Sequence, residues 1–223
     1  MHIERPVRLL LILTLLFGLA EQRALRAAEE QARTPKVVGL RGRVQISHNS
    51  GVFVPLLTGV ELRSGDVIRT AIASAVDLDL GAGPGIVRLT ESSTVTLDKL
   101  PGAQTSVTNA PGTNDAIQVE LSLGTGELLG QCKPGPSGMR FEIKTPLGLA
   151  QVLHGQFRIQ SRGYLVLLDG KMLFAHVPPG GQPAAHTLNA PPACYFTPLV
   201  GVQPAPRELV REVKNQLKAK LGK

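Results

Sequence analysis

Two carboxylates stand two positions apart in AVDLDL, residues 75–80: Asp77 and Asp79. On an extended strand such residues share a face, so they can do acid–base work as a pair or hold a hard cation such as calcium. The same alternation makes them the wet face of an amphipathic strand, and the period of two favours that reading. Histidine is the other type with chemistry to offer. His48, His154, His176 and His186 lie beyond the N-terminal region, and none is spaced as a metal-ligand pair along a helix or strand. Ser92 and Ser93, in TESSTVTL, lack the pattern of a nucleophile elbow. GAGPG at 81–85 is glycine-rich, but a proline interrupts it and no helix follows, so it reads as a turn and not a phosphate cradle. No catalytic residue, metal ligand or cofactor is assigned from these groups.

Cys132, in QCKPGP, and Cys194, in PPACYF, are the two cysteines. An even count in an oxidising compartment permits a disulfide between them, and two unpaired thiols satisfy the sequence equally. The compartment is read from the N-terminus. MHIERPVR carries Arg5 and Arg8, and residues 9–20, LLLILTLLFGLA, form an apolar run too short for a spanning helix. That is the signature of a secretory signal peptide, residues 1–27, with cleavage after Ala20 or Ala27. Its removal takes away Arg5, Arg8, Arg23 and Arg26 against Glu4 and Glu21, so the net charge falls from +7 to +5. The expected location is periplasmic or extracellular. A moderate basic balance suits an anionic envelope surface. Export argues against nucleic acid, and 4% aromatics without tryptophan argue against sugar or base stacking.

The elements that would position these groups are strands. After a linker at 28–36, apolar residues recur at every second position in RVQI (43–46), AVDLDL (75–80), TVTL (94–97), IQVEL (117–121), FEIK (141–144) and QFRI (156–159). YLVLL (164–168) is apolar throughout, which suits burial on both faces. LRSGDVI, LGTGELL and LLDGKML repeat one shape, with turns expected at Gly65-Asp66, Gly124 to Glu127 and Asp169-Gly170. In TPLGLAQVLHGQFRI, residues 145–159, a Thr145–Gly148 turn leads into a strand, and His154 reads as structural. Residues 98–115 form a long polar loop and 131–138 a shorter one. Residues 177–206 hold eight prolines, so an irregular wrapping segment is expected, with one short strand near Tyr195–Pro198. Residues 207–223, RELVREVKNQLKAKLGK, form a basic amphipathic helix with Leu209, Val210, Val213, Leu217 and Leu221 on its stripe. Such a helix packs on its own domain or touches an anionic membrane surface or a partner.

In order along the chain, Pro55, Leu56, Gly59, Leu62, Gly65, Asp66, Ile68 and Thr70, then Phe141, Thr145, Pro146, Gly148, Ala150, Val152, Gly155 and Phe157, give a pattern that resembles the FecR domain. That family is named after a periplasmic iron-citrate signalling regulator. The resemblance spans residues 39–175. His154 and Gln156 depart from it, as does the length of the 98–115 loop. Only eight residues precede the apolar run, so the cytoplasmic anti-sigma segment of the signalling regulators is not expected here. The resemblance implies an all-β, FecR-like domain at 37–176, of β-solenoid or sandwich type, with many short strands and one C-terminal helix. It transfers no catalytic residue. The expected function is a non-enzymatic cell-envelope module for protein–protein interaction or ligand sensing. The alternative is a structural envelope protein that binds peptidoglycan or polysaccharide. An exported hydrolase has no motif behind it.

Overall fold

The computed structural model describes residues 34–49, 51–81, 84–101, 117–135, 139–178 and 181–219. The expected signal peptide, most of the linker and most of the 98–115 loop lie outside them. The first strands are β1 (Lys36–Arg41), β2 (Val44–Ser47), β3 (Val54–Pro55), β4 (Val67–Thr70), β5 (Ala75–Asp79), β6 (Ile86–Leu89) and β7 (Thr94–Lys99). They are followed by β8 (Gln118–Thr125), β9 (Glu127–Cys132), β10 (Arg140–Thr145), β11 (Gly148–Gln160) and β12 (Leu165–His176). The described chain ends with β13 (Ala184–Ala190), β14 (Cys194–Thr197), β15 (Gly201–Pro204) and helix α1 (Arg207–Lys218). The protein is all-β with one C-terminal helix, as the sequence indicates. The ladders are antiparallel except β8 with β10.

Alternation decides which face each strand buries. Val76 and Leu78 of β5 are buried while Asp77 and Asp79 are half-buried, and Val119, Leu121 and Leu123 of β8 are buried with Glu120 and Ser122 between them. These inward residues, with Phe141, Phe157, Phe174 and Phe196, form one hydrophobic core inside a sheet that curls into a half-barrel.

The curl comes from the β11–β12 hairpin. β10 and β9 share the outer edge of β11, and β13 and β14 share the outer edge of β12. A straight strand of 13 residues would run about 40 Å. Instead, the two ends of the hairpin meet: a Cβ on Gly163 would lie 3.1 Å from Leu147 Cδ1. The bend sits where Gly155 faces Gly170, both at positive φ (+122° and +99°), between two register shifts in β11. A Cβ on Gly155 would stand 1.8 Å from the Asp169 carbonyl oxygen, and one on Gly170 would stand 2.1 Å from that of His154. Only a pair of glycines lets the two backbones cross so closely.

This corrects the reading of Asp169-Gly170 as a turn: both lie inside β12, at its bend. Gly65 and Gly126 do sit in the expected turns, at positive φ. The proline-rich segment is also more regular than expected. β14 is the short strand foreseen near Tyr195, and β13 and β15 flank it. Pro183 and Pro191 fall just outside β13 and Pro204 ends β15, so no proline interrupts a ladder.

Helix α1 covers part of the outer face. Val213 is fully buried against Leu129, Val166 and Leu168, with Leu209, Val210 and Leu217 beside it. Arg88 grips Asp77 with two bonds (2.6 and 2.7 Å) and donates a third to the Gln216 carbonyl (2.6 Å). Arg158 donates to Glu212 at 2.7 Å. The helix therefore docks on its own sheet. Leu221 lies outside the described residues.

Candidate functional site

The turn Thr145–Gly148 closes on itself, with the Thr145 hydroxyl donating to the Gly148 carbonyl at 3.0 Å. It then delivers the chain against the end of β12. A Cβ on Gly148 would lie 2.4 Å from the Ala175 carbonyl oxygen and 2.8 Å from both His176 Cβ and Phe174 Cζ. Between this turn, the end of β12 and the start of β13 opens a groove of about 600 Å³, lined by Pro146, Leu147, Leu149, Val177, Pro183 and Ala184, with His176 and Lys144.

His176 is 8% exposed, and its Nδ1 has no hydrogen-bond partner. Its ring stacks on Phe174 (centroids 5.5 Å, 11°), and lies 5.3 Å from both His186 and Phe196. His186 is 4.9 Å from Phe196. Burial, then the neighbouring His186, pushes the His176 imidazole below its ordinary pKa, so the ring is neutral near neutrality. Lys144 ion-pairs with Glu120 (2.9 Å) and Asp98 (3.2 Å), and these two bonds raise its pKa. The groove is thus apolar and carries no uncompensated charge on its walls.

The other residues singled out by type fall into structural roles. Asp77 is held by Arg88 beneath α1, and Asp79 accepts the Gly81 N–H at 3.0 Å, so the two carboxylates have separate partners and the face expected to be wet is partly covered by the helix. Ser92 sits in an exposed turn at φ +53°. Ser93 is buried and accepts the Glu127 N–H at 2.9 Å. His154 is half-buried opposite Lys171, and the register shift after Val152 turns it off the inward parity. His48 Nδ1 lies 2.6 Å from Asp66 Oδ1, and Asp66 also accepts the Arg63 N–H at 2.8 Å. Asp66 is 1% exposed, and it ties the Gly65-Asp66 turn to His48, just past the end of β2. Among the described residues no three His, Cys, Asp or Glu side chains come together as a metal site.

Cys132 and Cys194 are both free and buried. Cys132 ends β9 opposite Gly155, and its Sγ donates to the Lys133 carbonyl at 3.4 Å. Cys194 opens β14 opposite Leu167, and its Sγ donates to the Asn189 carbonyl at 3.6 Å. The disulfide that the count permits is not formed in this structure. Burial pushes the Cys132 thiol up to about 11 and raises Cys194 as well, which keeps both protonated and unreactive.

Sequence reasoning named His176 and His186 but not their association. The signal lay in KMLFAH, where alternation puts Met172, Phe174 and His176 on one inward face. Their approach to His186 and Phe196 depends on the β12–β13 register and on the hairpin bend, which local spacing does not encode. No protein family, no curated protein and no solved structure gives a significant match to this chain.

Proposed function

We propose that this protein is a non-enzymatic interaction module of the cell envelope, exported through residues 1–27 and akin to the FecR periplasmic domain. The observation that carries this reading is the open apolar groove at one end of the half-barrel. Its polar ring, His176, is neutral and stacked among Phe174, Phe196 and His186, and no carboxylate lines the groove. A surface of that kind suits binding better than turnover. The Gly65-Asp66 turn and the Thr145–Gly148 turn, two segments of the FecR-like pattern, both close on their own side chains. They support a scaffold role for that pattern. Docking of α1 takes up the apolar stripe that an interfacial helix would bury in lipid, which favours a protein partner over a membrane surface.

Affinity capture from envelope extract with the exported protein tests this reading. Specific enrichment of one protein, lost when Leu149→Lys places a charge in the groove, is the expected result. Retention only on insoluble cell wall, weakened steeply by salt, would replace it with the polymer-binding alternative. Growth of an export-blocked variant in the cytosolic fraction with the same partner bound would remove the envelope from the reading.

A further inference from the structure

Beside the groove lies a strand edge that, among the described residues, has no strand partner, its Asn189 carbonyl taking only the long Cys194 thiol bond. Among the described strands, β13 pairs with β12 alone. In an antiparallel ladder every second residue of an edge strand turns its N–H and C=O away from the neighbour. Over the seven residues of β13 that is a free edge ready to accept another strand. Among the described strands the other edges are covered or short. β1 is bonded to residues 59–62 (Val37 N to Val60 O, 2.9 Å; Gly59 N to Val37 O, 2.8 Å). β3 is two residues long and ends in proline, and β15 is four residues long and ends likewise.

Proteins commonly guard an edge with lysine, other charges or proline. β13 reads AAHTLNA and has none of these. Its first residues, Ala184 and Ala185, also line the groove, and Ala184 stands opposite His176 in the ladder. Edge and groove are therefore one continuous surface. Its charge is balanced: Lys144 is matched by Glu120 and Asp98, and β13 carries no Lys, Arg, Asp or Glu. A charged occupant would find no counter-ion there and would leave its own charge desolvated.

We infer that the β13 edge binds an extended, uncharged peptide segment of another protein, added as a further strand whose end runs past Ala184 and Ala185 at the rim of the adjoining groove. Main-chain bonds supply the affinity and the groove supplies the preference at one end. This deepens the interaction reading above and rests on it.

The probe is a blocked peptide of alternating valine and threonine, of the length of β13, used with the full exported protein. Saturable binding with hydrogen-exchange protection at 184–190 is expected. Methylating alternate backbone nitrogens of the probe removes its donors without removing its side chains. That change should weaken binding about tenfold or more, as should Thr187→Lys at an exposed position of β13. Equal binding by the methylated probe, protection elsewhere in the chain, or no saturable binding overturns the inference. An unchanged unfolding midpoint in Thr187→Lys certifies that the variant is folded. If that variant still captures the envelope partner undiminished, the interaction reading stands and the β13 assignment falls.

Discussion

His176 is the residue at which burial and chemistry pull hardest against each other. Its ring neighbours are Phe174, His186 and Phe196, and the groove it borders is lined by Lys144 and by no carboxylate, so no acidic lining group offsets a charge on its ring. The folded state therefore resists its protonation, and its pKa is depressed. Above the unfolded value of about 6.5 the ring is neutral in both states and carries no pH dependence. As pH falls below that value, the unfolded chain takes a proton that the folded chain refuses, so stability falls until the folded value is passed. The thermal midpoint should drop between about pH 7 and pH 5. His176→Phe keeps an aromatic ring and removes the titration, so its midpoint should drop less over the same interval. Parallel curves for the two proteins would show that His176 contributes nothing to the slope. The residue was visible in the sequence as the last inward position of KMLFAH, but its cost on protonation was not. That cost depends on rings brought in from β13 and β14.

At the scale of elements, the β11–β12 hairpin and α1 set the shape. Gly155→Ala places a Cβ into the Asp169 carbonyl at positive φ and should destabilise by about 2–4 kcal/mol. Gly201→Ala is the control. It shares the positive φ (+80°) but would meet nothing within 4 Å, so only the backbone strain remains, about 1 kcal/mol. Denaturant midpoints of the two variants separate close approach from strain, and equal losses would contradict the crossing at the bend. For α1, Val213→Ala removes two buried methyl groups from a helix with a small footprint, a loss of about 1–2.5 kcal/mol. Val213→Asp should release the helix to protease while the sheet stays intact. Loss of the whole fold with that variant would mean that the sheet cannot stand without its cover. The strands and helix were legible because period two and period four survive in the sequence. The uninterrupted run Leu165–Leu168 was legible for a related reason: inward residues meet the core and outward ones meet α1. The bend was not legible, because Gly170 in LLDGKML has the same local shape as Gly65 in a true turn. Only the strand facing it, with Gly155 in register, tells the two apart.

At the scale of the whole molecule, one core joins the strands before residue 177 to the proline-rich segment. Leu188, Cys194 and Phe196 belong to the same cluster as Val37, Ile68 and Phe157. Proline count alone suggested a segment laid over a finished domain; instead β13, β14 and β15 complete the sheet, because the prolines punctuate the strands and leave their interiors free. A core built from both ends of the described chain should open as a unit. The two thiols report on this. Cys132 lies at the end of β9 and Cys194 at the start of β14, both buried and both with raised pKa values, so neither reacts until its surroundings open. In native conditions an alkylating reagent should label both slowly and at one common rate, the rate of global opening. Denaturant should accelerate the two together. If Cys194 were labelled much faster than Cys132, β14 and β15 would open on their own. The C-terminal strands would then be a separable flap over the core, and the β13 edge beside them would be a surface that comes and goes with that opening.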